Sequence, residues 1–478
     1  MTDFQKNADI GYMSVAELQE AYAQKRLTPL EVTQAILDRI AEINPSLNAF
    51  AVITAESALA EAKLAGEALA RGEQRPLLGI PVTIKDAIDV QGQKSLQGSK
   101  WLASFAQPAA EDNPVVSRLR DAGAIILGKT TTSEMCWSGL SYNPLTGLTH
   151  NPWAKGMNAG ASSAGAAVAA AAGFGPLHLG SDGGGSIRMP CHFCSVFGIK
   201  PTYGRVPHIP VSNNDYATHI GPITRTVEDS ARMLSVLSGP HYLDHTSCEK
   251  PPEDYLAQLK SSMKGKKIAF SLDLGHARVD DDVAAVIRKA ASAFAHELGA
   301  EVVEVAPAWG PKGVSLGRFF WAAKEARRNH ILEEWEPEMG RDLVACMREG
   351  NDYSAVEFLN RRDEKFRYIA EIQTFMEQWD FLIIPSASVT AFPPQQMVPS
   401  HWPQHIWDWM SWSEFMYPFN MSNNPAVTVP CGFTPAGLPV GLQIVGKRFD
   451  DLGVLQAAAA YEGIHPVYLQ RPTFDSFK

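Results

Sequence analysis

The sequence predicts an α/β fold in which one large, mixed, twisted β-sheet is covered by helices on both faces. Short apolar runs punctuated by Gly or Pro alternate with helix-periodic stretches from about residue 77. The same alternation returns beyond residue 260. A chain of 478 residues, 45% hydrophobic and 20% charged, also has ordinary globular composition and enough length for a large core.

In chain order, Ser14-Val15-Ala16-Glu17 pairs an N-cap with Glu three residues later, and Thr28-Pro29-Leu30-Glu31 repeats the signal with Pro at the first helical position. A third helix is predicted from about Thr54 to Arg71, ended by Gly72, so residues 1–75 read as outer helices. Leu77 to Asp86 then reads as a buried strand ending in a polar loop, which puts Lys85 at a strand end. A helix spaced by Val115, Val116, Leu119 and Ala122 leads through Gly123 into the strand Ala124-Ile125-Ile126-Leu127. Further strands are predicted at Lys267–Phe270, Glu301–Val305, Phe381–Ile384 and Ala426–Val429, with a helix near Asp282–Leu298. Asp280-Asp281-Asp282 reads as a charge cluster favourable to that helix's dipole. One domain spanning 1–478 is expected, with its core at 76–240 and an inserted cap at 309–412, where composition turns aromatic and charged.

Net charge is −10 and the Lys and Arg residues are scattered, which counts against a nucleic-acid surface. Met1 to Lys6 lacks a basic segment leading into an apolar one, so no secretory signal is expected and the cytoplasm is the expected location. Ala164–Gly173 is apolar but too short to span a membrane. The six cysteines are irregularly spaced, which predicts reduced thiols; Cys191-His192-Phe193-Cys194 has no second pair at zinc-binding distance, so no metal is expected. No cofactor motif is present.

Between Gly156 and Arg205 the chain concentrates small residues: Asn158-Ala159-Gly160-Ala161-Ser162-Ser163-Ala164-Gly165, an alanine-rich helix, then Gly180-Ser181-Asp182-Gly183-Gly184-Gly185-Ser186-Ile187-Arg188. Three glycines before Ser186 leave amide N–H groups unobstructed, as an oxyanion hole needs. A serine needs a base. His178, His192, His208 and His219 lie nearby, yet none falls in a Ser-His-Asp motif, and a structural role is the expectation for each. Gly160 to Ala164 is a degenerate G-x-S-x-G elbow, but it follows a polar loop, which counts against an α/β-hydrolase.

These blocks, with Gly79-Ile80-Pro81-Val82-Thr83-Ile84-Lys85-Asp86, His150-Asn151-Pro152-Trp153, Gly198 to Arg205, Gly221-Pro222-Ile223-Thr224-Arg225 and Gly437 to Gly446, resemble the amidase signature family in order, spacing and chemistry. The resemblance covers nearly the whole chain. It implies Ser186 as nucleophile, Ser162, after a cis bond, as bridge, and Lys85 as base. It further implies backbone of Gly183, Gly184, Gly185 and Ser186 as the oxyanion hole, with Ser163, Asp182 and Arg188 as supports. A lysine can act so only if burial or neighbouring cations lower its pKa, so Lys85 should be buried. The sequence departs from the family pattern at Ala161 and Ala164, usually glycine, and at Met157-Asn158-Ala159, where Arg-Thr-Pro is common. Its Gly-Ala-Ser-Ser-Ala-Gly variant is similar to the branch that hydrolyses nylon-type cyclic amides and to carbamate-cleaving enzymes.

Trp402, Trp407, Trp409 and Trp412 crowd one short stretch, and with Cys136, Trp137, Phe319, Phe320 and Trp321 they are candidates for an aromatic-lined entrance favouring an apolar or aryl group. Packing of the cap is the competing role for each ring. The expected partner is a small-molecule amide or carbamate, with no nucleic acid, no membrane and a homodimer as assembly. The amidase component of a tRNA-dependent amidotransferase, which shares these blocks, is the alternative; the aromatic cap and the missing basic face count against it.

Overall fold

Ser14 and Thr28 each close a reciprocal capping box, with Glu17 and Glu31, at the start of the helices Val15–Ala23 and Pro29–Leu47 in the computed structural model, which describes residues 9–251 and 254–474. Met1 to Lys6 lies outside the described residues. A third outer helix covers Ala55–Ala70. Among the described residues no helix is long and apolar enough to cross a membrane.

The sheet has eleven strands: β1 (Phe50–Ile53), β2 (Pro81–Lys85), β3 (Ile125–Thr130), β4 (Leu177–Asp182), β5 (Phe197–Lys200), β6 (His219–Thr224), β7 (Lys267–Phe270), β8 (Glu301–Glu304), β9 (Phe381–Pro385), β10 (Ala426–Phe433) and β11 (Pro439–Val445). Their spatial order is β1-β3-β2-β4-β6-β5-β10-β11-β9-β7-β8. The β3-β2-β4 and β9-β7-β8 groups are parallel and the remaining pairs antiparallel, so the sheet is mixed, as the α/β pattern predicts. Side chains alternate between two apolar cores, one on each face. Ile268 and Phe270 enter one and Ala269 the other; Ile383 enters the first, Leu382 and Ile384 the second.

Three helices matter for the site from the second face: α3 (Gly313–Ala326), α4 (Arg341–Asn351) and α5 (Ala355–Met376), counted after α1 (Ala164–Ala171) and α2 (Arg188–Cys194) beside the sheet. Together with Trp402, Trp407, Trp409 and Trp412 they build the aromatic core of that face. The cap reading of 309–412 needs correction at one point. Phe381–Pro385, inside that stretch, is β9, hydrogen-bonded between β11 and β7 in the sheet itself. Its five buried apolar residues place it there.

Every residue of α1 is buried, which explains its alanines: helix and sheet approach too closely for larger side chains. At Gly165 even a methyl group would overlap the Ala49 carbonyl oxygen and the Thr131 backbone.

Candidate active site

β2 and β4 run parallel, with Thr83 opposite His178 and Ile84 opposite Leu179. Their ends therefore bring Lys85 beside the residues that follow Gly180. Lys85 is completely buried; its Nζ lies 2.6 Å from Ser162 Oγ, 3.0 Å from Ser181 Oγ and 3.4 Å from the Ser181 carbonyl. Burial pulls its pKa below the ordinary lysine value; Cys136 and Asp182 oppose that, and Lys324 reinforces it. An unprotonated amine here can accept from Ser162 while donating its two N–H groups to Ser181.

The Ala161–Ser162 peptide bond is cis. Ser163 follows at the start of α1: its N–H donates to the Ser186 carbonyl at 3.1 Å and its hydroxyl to the Ser181 carbonyl at 3.1 Å. The two serine segments are thereby stitched together. Among the described residues the Ser186 hydroxyl makes no hydrogen bond, so the Ser162 to Ser186 link that the family resemblance implies is not closed. Such bonds commonly tighten only when substrate binds.

β4 runs into the glycine loop, and Asp182 organises it. Its carboxylate accepts the N–H of Gly185 at 2.7 Å and of Ile187 at 3.2 Å, and the Arg188 guanidinium in a two-pronged pair at 2.9 Å each. Burial alone would raise the Asp182 pKa, but Arg188 and Asn420 hold the carboxyl far below the usual range. Arg188 also reaches Gln443 Oε1 at 2.6 Å and Asn420 Oδ1 at 2.6 Å. This corrects the oxyanion set: the Gly185 N–H is committed to Asp182, and the free donors are those of Gly183, Gly184 and Ser186, which have no protein acceptor among the described residues. Gly185 instead supplies the backbone turn, with φ of 116°.

The aromatic candidates divide. A methyl at Gly184 would lie 3.2 Å from the Trp321 ring, so Trp321 walls the glycine loop. Trp409 meets Trp321 edge-on with centroids 5.4 Å apart, which puts it one layer back. Trp137 is buried and lines a separate cavity of about 780 Å³ with Leu140 and Met339. Cys136, partly exposed, shares a contact with Thr132 Oγ1 at 3.3 Å and is near enough for Lys85 to feel its charge. Trp407 is not brought to the site: its indole N–H donates to Glu349 of α4 at 2.6 Å and its ring meets His405.

His178 and His192 are held within the fold, away from the two serines. His178 is held by Thr83 and the Gly175 carbonyl, His192 by Gly441 and the Val389 carbonyl, and burial pushes them down to about 3 and about 4. Ser181, Asn420, Gln443 and Asn214 are hydrogen-bonded neighbours of these groups that the sequence reading does not single out. Ser181 sits within the glycine block, where strand pairing alone could have placed it between Lys85 and Ser163; the others come from distant segments.

The family model described as Amidase matches residues 31–455. An acylamidase of Rhodococcus erythropolis is 38% identical over 478 residues, covering 97% of this chain and 98% of that protein. One component chain of the glutamyl-tRNA(Gln) amidotransferase of Moorella thermoacetica is 34% identical over 490 residues, covering 97% and 99%. Among solved structures, 6-aminohexanoate cyclic dimer hydrolase superposes with a TM-score of 0.88 at 26% identity, covering 97% and 99%.

Proposed function

The chain belongs to the amidase signature family and is an amidohydrolase acting on C–N bonds other than peptide bonds; from that premise we propose that it cleaves acyl amides with apolar or aryl groups through Lys85, Ser162 and Ser186. The observation that carries this reading is the buried Lys85 amine 2.6 Å from Ser162 Oγ, beside a glycine loop with unused N–H groups.

In the reaction Ser162 Oγ passes its proton to Lys85 Nζ and takes the proton of Ser186 Oγ as that oxygen attacks the carbonyl carbon. The carbonyl oxygen becomes anionic and is held by the N–H groups of Gly183, Gly184 and Ser186. The intermediate then collapses, the C–N bond breaks, and the nitrogen leaves as amine with the proton that returns from Lys85 through Ser162. Water repeats the sequence on the Ser186 ester, releasing the acid. The Trp321 wall favours a flat or apolar group there, in keeping with the likeness to an acylamidase and a cyclic-dimer hydrolase. Carbamates are the second substrate class, and the protein is proposed to work in the cytoplasm as a homodimer without nucleic acid, membrane, metal or cofactor.

The likeness to a component of an amidotransferase supports a second reading, in which the chain acts within a larger assembly. A panel of aryl amides, carbamates and cyclic oligoamides, read by released amine from the chain purified alone, separates the two. Turnover of aryl amides, absent in Ser186→Ala, is the expected result. No release from any member, or equal release from Ser186→Ala, contradicts the proposal.

A further inference from the structure

The peptide between Gly183 and Gly184 is flanked by glycines on both sides, so side-chain sterics do little to stop it from rotating. It is trans, since the cis bonds are elsewhere, and a trans peptide points its C=O and N–H in opposite directions. Whatever holds the Gly183 carbonyl therefore aims the Gly184 N–H. That carbonyl accepts one hydrogen bond from a side chain, the Asn214 Nδ2 at 3.2 Å. Asn214 is nearly buried, and its amide also donates to Thr218 Oγ1 at 3.1 Å, which sets its orientation.

The loop that carries Asn214 is clamped from the cap. Lys365 of α5 donates to the Asp215 carbonyl at 2.8 Å and carboxylate at 2.7 Å, and Arg362 pairs with the same carboxylate at 3.1 Å. A chain of contacts thus runs from α5 through Asp215 and Asn214 to the glycine peptide.

We propose that Asn214 is a positioning residue, which holds the Gly183 carbonyl and so keeps the Gly184 N–H aimed at the anionic oxygen of the intermediate. This rests on the hydrolase reading above. The interaction matters when negative charge has formed, so its loss lowers kcat and leaves KM nearly unchanged.

The test uses Asn214→Asp, which keeps the shape but replaces the donor with an acceptor, alongside Asn214→Ala and Lys365→Met. Each is assayed for kcat and KM on an aryl amide, and for inhibition by a trifluoromethyl ketone, whose adduct with Ser186 carries an alkoxide in the place of the anionic oxygen. The expected result for both Asn214 variants is a fall in kcat of about 10- to 100-fold, short of the loss from deleting a donor outright. Ketone affinity should fall by the same factor as kcat/KM, with KM within about threefold. Lys365→Met should show the same pattern more weakly, and it serves if an Asn214 variant fails to fold. Unchanged kcat and ketone affinity, or a rise in KM alone, overturns the proposal. A wild type that neither turns over amides nor takes the ketone overturns the hydrolase reading, and this inference with it.

Discussion

Asp182 shows how much of the site's order depends on one side chain. Its carboxylate holds two loop N–H groups and the Arg188 fork, all away from water. Asp182→Asn leaves a buried guanidinium without its counter-charge, and a loss of about 3–5 kcal/mol in denaturant unfolding is expected. The pH dependence has a definite sign. The folded pKa lies below the unfolded value of about 3.9, so this stabilisation is present in full above that value and is lost as pH falls through it toward the folded one. The wild type should therefore lose more stability below about pH 4 than Asp182→Asn does. Lys85, Ser162, Ser186, Asp182 and Arg188 were legible in the sequence because small residues around them form recognisable blocks. Asn420 and Gln443 were not, because their contacts to Asp182 and Arg188 span more than 200 residues and exist only once the sheet is assembled.

At the scale of elements, the parallel pairing of β2 with β4 turns two separate motifs into one site. Six of the eleven strands were readable from apolar runs bounded by Gly and Pro, and the first two helices from their caps, whereas β1, β4, β5, β6 and β11 were not singled out. Sheet order was not readable, since an apolar run says that a strand is buried without saying which neighbour it pairs with. β9 was readable as a strand from its own Phe-Leu-Ile-Ile, and only its aromatic, charged flanks drew it into the predicted cap. The family pattern places Gly165 in its block, but the reason for it is a packing one. A methyl there meets backbone on two sides, Ala49 and Thr131, and neither can rotate away. Gly165→Ala should cost about 3 kcal/mol by thermal or denaturant unfolding, in contrast to the favourable effect of alanine in an exposed helix.

Across the whole molecule, the sheet separates two tasks. One face buries an aliphatic core beneath the outer helices, and the other carries an aromatic core whose edge, through Trp321, walls the glycine loop. Lys85 and the two serine segments lie among these layers, and burial there is what disfavours the charged form of Lys85. Composition indicated a large apolar interior, but which ring would reach the glycine loop depended on helix packing, so Trp321 lies against it while Trp407 does not. The measurement that bears most directly on this arrangement is the rate at which Ser186 is phosphonylated by an aryl fluorophosphonate, followed across pH by peptide mapping, in wild type and Lys85→Ala. The adduct should map to Ser186, its rate rising with pH through a pKa below the ordinary lysine value, and Lys85→Ala should be slower by about 10⁴-fold with its fold intact. An adduct on another residue, or equal rates in the two proteins, would contradict a buried lysine acting through one serine upon another.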